Sequence, residues 1–502
     1  MSANAHIPAA IPAPAARAWW RSEAAVVLLF TAYAAAMHVA TWGDTNYFVD
    51  DTFYALVGQR MHDGLLPYVD VWDRKPFGLF AIYWLIAGVS RSIVAYQIAG
   101  LAFSVAAAVA VCRIAALFTN RQGGVLAGIA YLCLMCTFDG VNGQSPVFYN
   151  ALIAWAVWCV ASELDQLARG QAGPRIMAAM ALCGLAITIK QTTLFEGAFL
   201  GLYVLHALRR AGVAPARIAR QAALMALLGA APTLAIAAAY AAGGHWHEYW
   251  NAMVTANLHK RSEGWALTLG WIRAMAVRIV LIAGIAAWAL RRGITKGQTR
   301  GFLAGWTAAA LVGFLSVPNF FIHYALPLMV PFSVLAAFLF ALPGKGRIWF
   351  AATLCFYWLW YNPLDFGWTR QSRAAMAELA ELVERHDGGG GLFVYDGPPY
   401  LYALTGKPFL SPLVFPHHFN HLIEKDTSHL ATAAELDRIL ARHPGVVVLS
   451  LYPRNAPVNE QSYAAVRRYI HGNCRLVGQV TVLEMQTRSP IVVYGDCAPA
   501  RR

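Results

Sequence analysis

The sequence predicts a polytopic α-helical membrane protein with a small C-terminal α/β domain outside the membrane. Three observations predict it. Hydrophobic residues make up 58% of the 502-residue chain and charged residues only 13%, against ~25% charged in soluble domains. A surface so poor in charge needs lipid as part of its solvent. Apolar stretches recur from about residue 24 to residue 361, separated by short segments that hold most of the Arg. After Tyr361 those stretches stop, and Gly, Pro, His and charge rise.

Residues 1–22 are Ala/Pro-rich and read as a disordered cytoplasmic N-terminus. The apolar run from about Ala24 to Thr41 is long enough to span and is followed by further spans, so it reads as a first transmembrane helix rather than a signal peptide. Further stretches lie at roughly 77–112, 122–138, 146–162, 176–189, 193–208, 219–242, 270–290, 301–317, 321–342 and 346–361. The second is interrupted by Ser90, Arg91 and Ser92, and charge decides how to count it. With the N-terminus inside and 77–112 as one crossing, the inner segments receive Arg17 and Arg21, Arg113 and Arg121, Arg169 and Arg175, Arg209, Arg210, Arg217 and Arg220, Arg291, Arg292, Lys296 and Arg300, and Lys345 and Arg347. The outer loops before residue 362 keep Arg60, Arg74, Lys75, Lys190, Lys260 and Arg261. Basic residues concentrate on the cytoplasmic side, so the expected topology is about 11 crossings, N-terminus in and C-terminus out, with 77–90 as a half-buried helix. The domains are then 23–361 in the membrane, with an outer loop at 42–76, and 362–502 as a periplasmic α/β domain in the plasma (inner) membrane of the cell.

In the last region, helices are expected at Arg370–His386, Thr432–His443 and Ser462–His471, and strands at Leu392–Tyr395, Val446–Leu451, Leu476–Glu484 and Ile491–Tyr494. Their alternation predicts an α/β fold. No dinucleotide-binding or P-loop motif is present. His417-His418 reads as a surface loop pair. Of the eight Cys, Cys112, Cys133, Cys136, Cys159, Cys183 and Cys355 lie in or beside apolar runs and read as core residues, whereas Cys474 and Cys497 could form an extracytoplasmic disulfide. The net charge of +13 sets topology. No basic stripe with interleaved aromatics marks a nucleic-acid partner. Between 243 and 269, His245, Trp246, His247, Tyr249, Trp250 and Trp265 form an interfacial loop, read as membrane anchors before a flap.

The first outer loop carries the chemistry. It holds Asp44, Asp50, Asp51, Asp63, Asp70 and Asp73, and a mere connector can be far shorter. Asp50-Asp51 stands before a helix-like run, Thr52–Met61. Adjacent carboxylates there can serve as a base or hold a divalent cation. They can equally be an N-cap pair, and the residues alone leave both open.

The run Asp50-Asp51, an aromatic at Phe53 or Tyr54, Gly64-Leu65-Leu66-Pro67-Tyr68 and Lys75-Pro76 resembles the GT-C glycosyltransferases. Within them it is similar to the bacterial protein-mannosyltransferase-like and aminoarabinose-transferase-like enzymes. The second Pro of the last motif is replaced by Phe77, and the acidic pair is Asp-Asp where many members have Asp-Glu. Phe321-Ile322-His323-Tyr324 resembles the family's His-Tyr motif, Thr188-Ile189-Lys190-Gln191 a Lys-bearing motif, and Tyr395-Asp396-Gly397 through Gly406 the start of its soluble domain. The resemblance implies inverting transfer of a sugar from a polyprenyl-phosphate donor to an envelope glycan, lipid or protein acceptor, beside membrane lipid. It puts Asp50 as the catalytic base and Asp51 as its support or as a partner in holding a metal. Lys75, Lys190, Arg273 and Arg278 are expected to bind the lipid phosphate, and His323 and Tyr324 the phosphate or sugar. Lys75 could instead simply pair with Asp73. No cofactor is certain; if a divalent cation binds, Asp50, Asp51 and Asp139 are the expected ligands. Asn142 and Gln144 share the short loop with Asp139. A transporter or flippase for a lipid-linked glycan, an envelope-glycan polymerase and a non-catalytic scaffold are the rivals. The acidic loop together with a folded outer domain argues against the transporter.

Overall fold

The computed structural model describes residues 22–259, 264–317, 319–453, 457–484 and 487–497. The expected disordered N-terminus with Arg17 and Arg21, the loop cations Lys260 and Arg261, and Pro318 lie outside these residues. Up to Trp358 the described chain is helical. Its helices are α1 (Glu23–His38), α2 (Val49–Met61), α3 (Phe77–Val89), α4 (Ile93–Phe118), α5 (Arg121–Thr137), α6 (Ser145–Ala161), α7 (Leu164–Ala168) and α8 (Pro174–Ile187). They continue as α9 (Leu194–Arg210), α10 (Pro215–Ala242), α11 (Trp246–Trp250), α12 (Ala256–Leu258), α13 (Trp265–Trp288), α14 (Gly297–Leu315), α15 (Leu326–Phe340) and α16 (Lys345–Trp358).

Five helices, counted with their flanking turns, are long and apolar enough to cross a membrane: Glu23–Thr41, Ile93–Phe118, Pro215–Ala242, Trp265–Gly293 and Ile322–Phe340. Shorter apolar helices include α3, α6 and α8. Local chemistry starts several of them. The Ser22 and Ser92 hydroxyls accept the N–H groups of Ala25 and Val94, and the Asn120 side chain accepts that of Gly123 at 2.8 Å. Pro174 and Pro215 sit at first helical positions, where a missing N–H costs nothing. Small residues let α4 and α5 touch backbone to backbone: a Cβ on Gly124 would stand 2.4 Å from the Cys112 carbonyl oxygen.

The break at 90–92 has a clear geometry. The first turn of α3 donates from the Gly78 N–H to the Thr188 carbonyl at 2.8 Å, and Arg91, just past its end, pairs with Asp63 at 2.9 Å. Tyr54 of α2 meets Phe80 and Tyr83 of α3, and His62 stacks on Trp84. Helix α3 therefore runs parallel to α2, with both ends against the 42–76 segment and the α8–α9 turn.

The C-terminal part adds α17 (Phe366–His386), β1 (Leu392–Val394), α18 (Leu401–Leu404), α19 (His417–Asn420), α20 (Thr432–Ala441), β2 (Val446–Ser450), α21 (Glu460–Asn473), β3 (Arg475–Glu484) and β4 (Thr487–Gly495). The sheet order is β1-β2-β4-β3, with β1 and β2 parallel and the other pairs antiparallel. Alternate residues face opposite ways. Leu392, Val394, Val446 and Val448 join Leu379 and Val383 of α17 and, through them, the helical core. Phe393, Tyr395, Val447 and Leu449 pack on Leu436 and Ile439 of α20 and Val466 of α21. Trp72 of the 42–76 loop is wholly buried in this second cluster. A disulfide joins Cys474 to Cys497. The loop after α10 packs on the 42–76 loop through Tyr249, stacked on Tyr240 and edge-on to Tyr68, while Trp246, Trp250 and Trp265 are exposed.

Candidate active site

The six loop carboxylates separate by their partners. Asp44 accepts from the Ser372 hydroxyl of α17 at 2.6 Å and from the Asn46 N–H at 2.9 Å, and burial pushes its pKa up to about 6 against those bonds. Asp63 pairs with Arg91 and Arg60. Asp70 closes a turn by accepting the Leu66 N–H at 2.8 Å. Asp73 accepts the backbone N–H of Lys75 at 2.9 Å. Asp50 and Asp51 are left, at the start of α2.

Both lie in the first turn of α2, whose N-cap is Phe48 with no side-chain cap bond. They are therefore not an N-cap pair, although the helix N-terminus still favours negative charge beside it. Asp50 keeps 23% of its side chain exposed and faces the Lys75 ammonium at 3.9 Å. Burial raises its pKa. The opposing pull of Lys75, His323 and His417 and of the Gln144 amide outweighs burial, so the carboxyl titrates below its ordinary value. Asp51 is wholly buried. The Gly143 N–H points at its Oδ2 at 3.4 Å and its Oδ1 has no partner among the described residues. Burial, with added repulsion from Asp50, pushes its pKa well above the carboxylate range. Burial pushes Asp51 up while the neighbouring cations draw Asp50 down, so the two adjacent carboxyls are driven apart.

Gly143 has no room for a side chain, since a Cβ would stand 2.1 Å from the Tyr83 hydroxyl. That closeness brings the 139–145 turn down onto Asp51. Asp51→Asn keeps the shape and charge of a protonated carboxyl and is expected to leave folding and most turnover intact. Asp51→Ala strands the buried Gly143 N–H and is expected to cost ~1–3 kcal/mol of stability. Chemical denaturation of the two variants in one detergent checks this.

Lys75 does not pair through its ammonium with Asp73. The ammonium lies 5.3 Å from the centre of the Tyr54 ring and faces Asp50. His323 occupies a short turn before α15, edge-on to Phe48 at 5.6 Å, which puts it beside the start of α2. Tyr324 meets His323 at 4.6 Å, and its ring sits 5.4 Å below the Lys190 ammonium. Arg278 of α13 lies over the Trp360 ring at 5.2 Å, with Nε and Nη1 buried and without hydrogen-bond partners among the described residues. It is the cation that Asp139 feels: burial pushes Asp139 up to about 6, and Arg278 opposes the shift. Arg273 is exposed on α13 and has no polar partner among the described residues. The structure thus gathers Asp50, Asp51, Lys75 and His323 and joins Lys190 to Tyr324. Arg278 faces Asp139 and Arg273 stands apart.

His417-His418 is not a surface pair. His418 is buried edge-on to Trp72 at 4.7 Å. His417 packs on Phe415, which meets Phe53 of α2 at 5.1 Å. The C-terminal domain so reaches the acid cluster from above, which no local pattern signals. Gln144 also lines the site, its buried amide close enough to Asp50 to favour the ionised carboxylate. Among the described residues, no group of three or more His, Cys, Asp or Glu side chains is arranged to hold a metal ion.

No protein-family model matches the chain, and no curated protein sequence does. Solved structures do. The crystal structure of ArnT from Cupriavidus metallidurans in the apo state superposes with a TM-score of 0.58 at 14% identity, covering 93% of this chain and 97% of that one. The same protein bound to undecaprenyl phosphate gives 0.56 at 14% identity over 94% and 98%. The apo oligosaccharyltransferase of Archaeoglobus fulgidus gives 0.52 at 10% identity over 87% and 70%. From the membrane helices to the C-terminal sheet, the chain adopts the GT-C glycosyltransferase fold.

Proposed function

We propose that this chain is an inverting glycosyltransferase that moves a sugar from a polyprenyl-phosphate carrier to a cell-envelope acceptor on the outer face of the membrane. The observation that carries the reading is the Asp50–Lys75 pair: a carboxylate at 3.9 Å from an ammonium, flanked by His323 and backed by the buried Asp51. The fold shared with a protein crystallised on undecaprenyl phosphate supports it. In the reaction, Asp50 takes the proton of an acceptor hydroxyl as its oxygen forms a bond to the anomeric carbon from the face opposite the phosphate. The carbon–oxygen bond to phosphate breaks, its electron pair leaves with the lipid phosphate, and the configuration inverts. The leaving phosphate gains charge next to lipid, where fixed cations stabilise it strongly. Lys75 is the cation at hand, with Lys190 and Tyr324 behind it.

In this reading the chain crosses the plasma membrane eleven times, with α3 lying beside α2 at the outer surface and the C-terminal domain outside. The Arg distribution supports that orientation, and the Cys474–Cys497 disulfide fits an oxidising compartment.

The test is release of free polyprenyl phosphate from a panel of polyprenyl-phosphate sugars by the purified chain in nanodiscs, with an envelope extract supplying acceptors. Acceptor-dependent release from one donor is expected. Release from none, with folded protein and a complete panel, overturns the proposal. EDTA is expected to leave turnover unchanged, because the Lys75 ammonium already faces Asp50. Loss on chelation, restored by a divalent ion, would place a metal at Asp50 and Asp51.

A further inference from the structure

The strip Trp72–Lys75 is held from two sides. Below it, Lys75 faces Asp50. Above it, the C-terminal domain makes three separate contacts. The Trp72 N–H donates to the Pro412 carbonyl at 2.9 Å, the Trp72 ring is buried in the domain core against His418, and Arg74 Nη2 meets Glu424 Oε1 at 2.6 Å. Glu424 is itself fixed. It ends a short turn, Leu422–Glu424, that donates from the Leu422 N–H to the Pro457 carbonyl at 2.9 Å and follows a backbone bridge between His421 and Val458.

Arg74 and Glu424 keep only 19% and 10% of their side chains exposed. A pair so enclosed is strongly disturbed when one partner loses its charge. Arg74 is adjacent to Lys75, and Asp73 ties the Lys75 N–H into the same turn. Whatever moves Arg74 moves the backbone that aims the Lys75 ammonium.

We propose that Glu424 is a positioning residue for sugar transfer: by pairing with Arg74 it holds the Trp72–Lys75 strip so that the Lys75 ammonium faces Asp50. The C-terminal domain then acts on the donor side of the reaction rather than on acceptor choice alone. This rests on the reading of Lys75 as the cation for the leaving lipid phosphate.

The experiment compares full-length wild type, Glu424→Gln, Glu424→Asp and the exchanged pair Arg74→Glu with Glu424→Arg, all in nanodiscs. Backbone hydrogen exchange over residues 66–78 and steady-state kinetics with a polyprenyl-phosphate sugar are measured on each. Glu424→Gln is expected to speed exchange across Trp72–Pro76 and raise donor KM about tenfold, with acceptor KM unchanged. Glu424→Asp and the exchanged pair are expected to recover much of both. If Glu424→Gln folds poorly, Glu424→Asp and the exchanged pair carry the same two readouts. Wild-type exchange and donor KM in Glu424→Gln overturn the proposal, as does a rise confined to acceptor KM. Exchange is read without turnover, so a wild type inactive on every donor sinks the functional reading while the clamp is still decided.

Discussion

Asp50→Asn is expected to lower turnover by about a thousandfold, within the range by which a positioned base accelerates proton transfer. The amide keeps the size of the carboxylate and removes its basicity. Asp50 retains 23% side-chain exposure and its ion pair with Lys75 is long, at 3.9 Å; a partly solvated pair of that kind contributes little to stability. The variant should therefore fold and bind donor with a near-normal KM, and kcat alone should fall. The neighbouring carboxyl is not expected to substitute, because the Asp51 side chain is wholly buried. In the wild type, activity should rise with pH as Asp50 ionises. Since its folded pKa lies below the ordinary value, that rise should fall below ~4 and leave a flat profile into the neutral range. Release of polyprenyl phosphate against pH, for both proteins, measures this. Clear turnover in the folded Asn variant would remove Asp50 from the role of base.

Lys75→Met is expected to produce two effects. The first is a fall in kcat/KM of about a hundredfold or more, the scale seen when one group that stabilises developing charge is removed. Met keeps much of the length of the side chain and removes the ammonium that lies over the Tyr54 ring, so the loss isolates the charge. The second is a change in the pH profile. Lys75 is the first of the charges that draw the Asp50 pKa down against burial. Without it, the folded pKa rises, less of Asp50 is ionised at a given acidic pH, and the acid limb moves upward. The stabilisation that Asp50 gains from Lys75 is present above the unfolded pKa and is lost as pH falls through the lowered folded value. The variant should therefore also lose part of the difference in stability between neutral and acidic pH. The two proteins' kcat/KM profiles check the prediction. An unmoved acid limb with full activity would detach Lys75 from Asp50 altogether.

How much of this was legible in the chain depends on how local each determinant is. Helix α17 was expected over Arg370–His386 and runs Phe366–His386, one turn earlier, because the Asp365 carboxylate caps it by accepting the Trp368 N–H. Strands β1 and β2 fall where short apolar runs directly follow Gly391 and Gly445. The loop's sorting of its six Asp was not legible. Asp44 is engaged by Ser372, 328 residues away, and nothing near Asp44 announces it. His417 and His418 looked like a solvated pair because Trp72, which covers His418, and Phe53, which backs the Phe415 that His417 packs on, come from distant segments. Lys75 sits two residues from Asp73, yet its ammonium turns to Asp50 because Asp73 is occupied by the Lys75 backbone N–H.

By itself, the sequence determined the membrane class of this protein, the order of its helices and strands, and the segment that carries the acidic pair. These follow from hydrophobic transfer, charge placement and hydrogen-bond capping, each summed over neighbouring residues. Only the tertiary structure decided that burial raises Asp51 while neighbouring cations lower Asp50, which cation faces Asp50, and that the C-terminal domain grips the Trp72–Lys75 strip through Trp72 and Glu424. Those outcomes depend on burial and on charges brought within a few ångströms by contacts between distant parts of the chain, and a linear reading does not contain those distances.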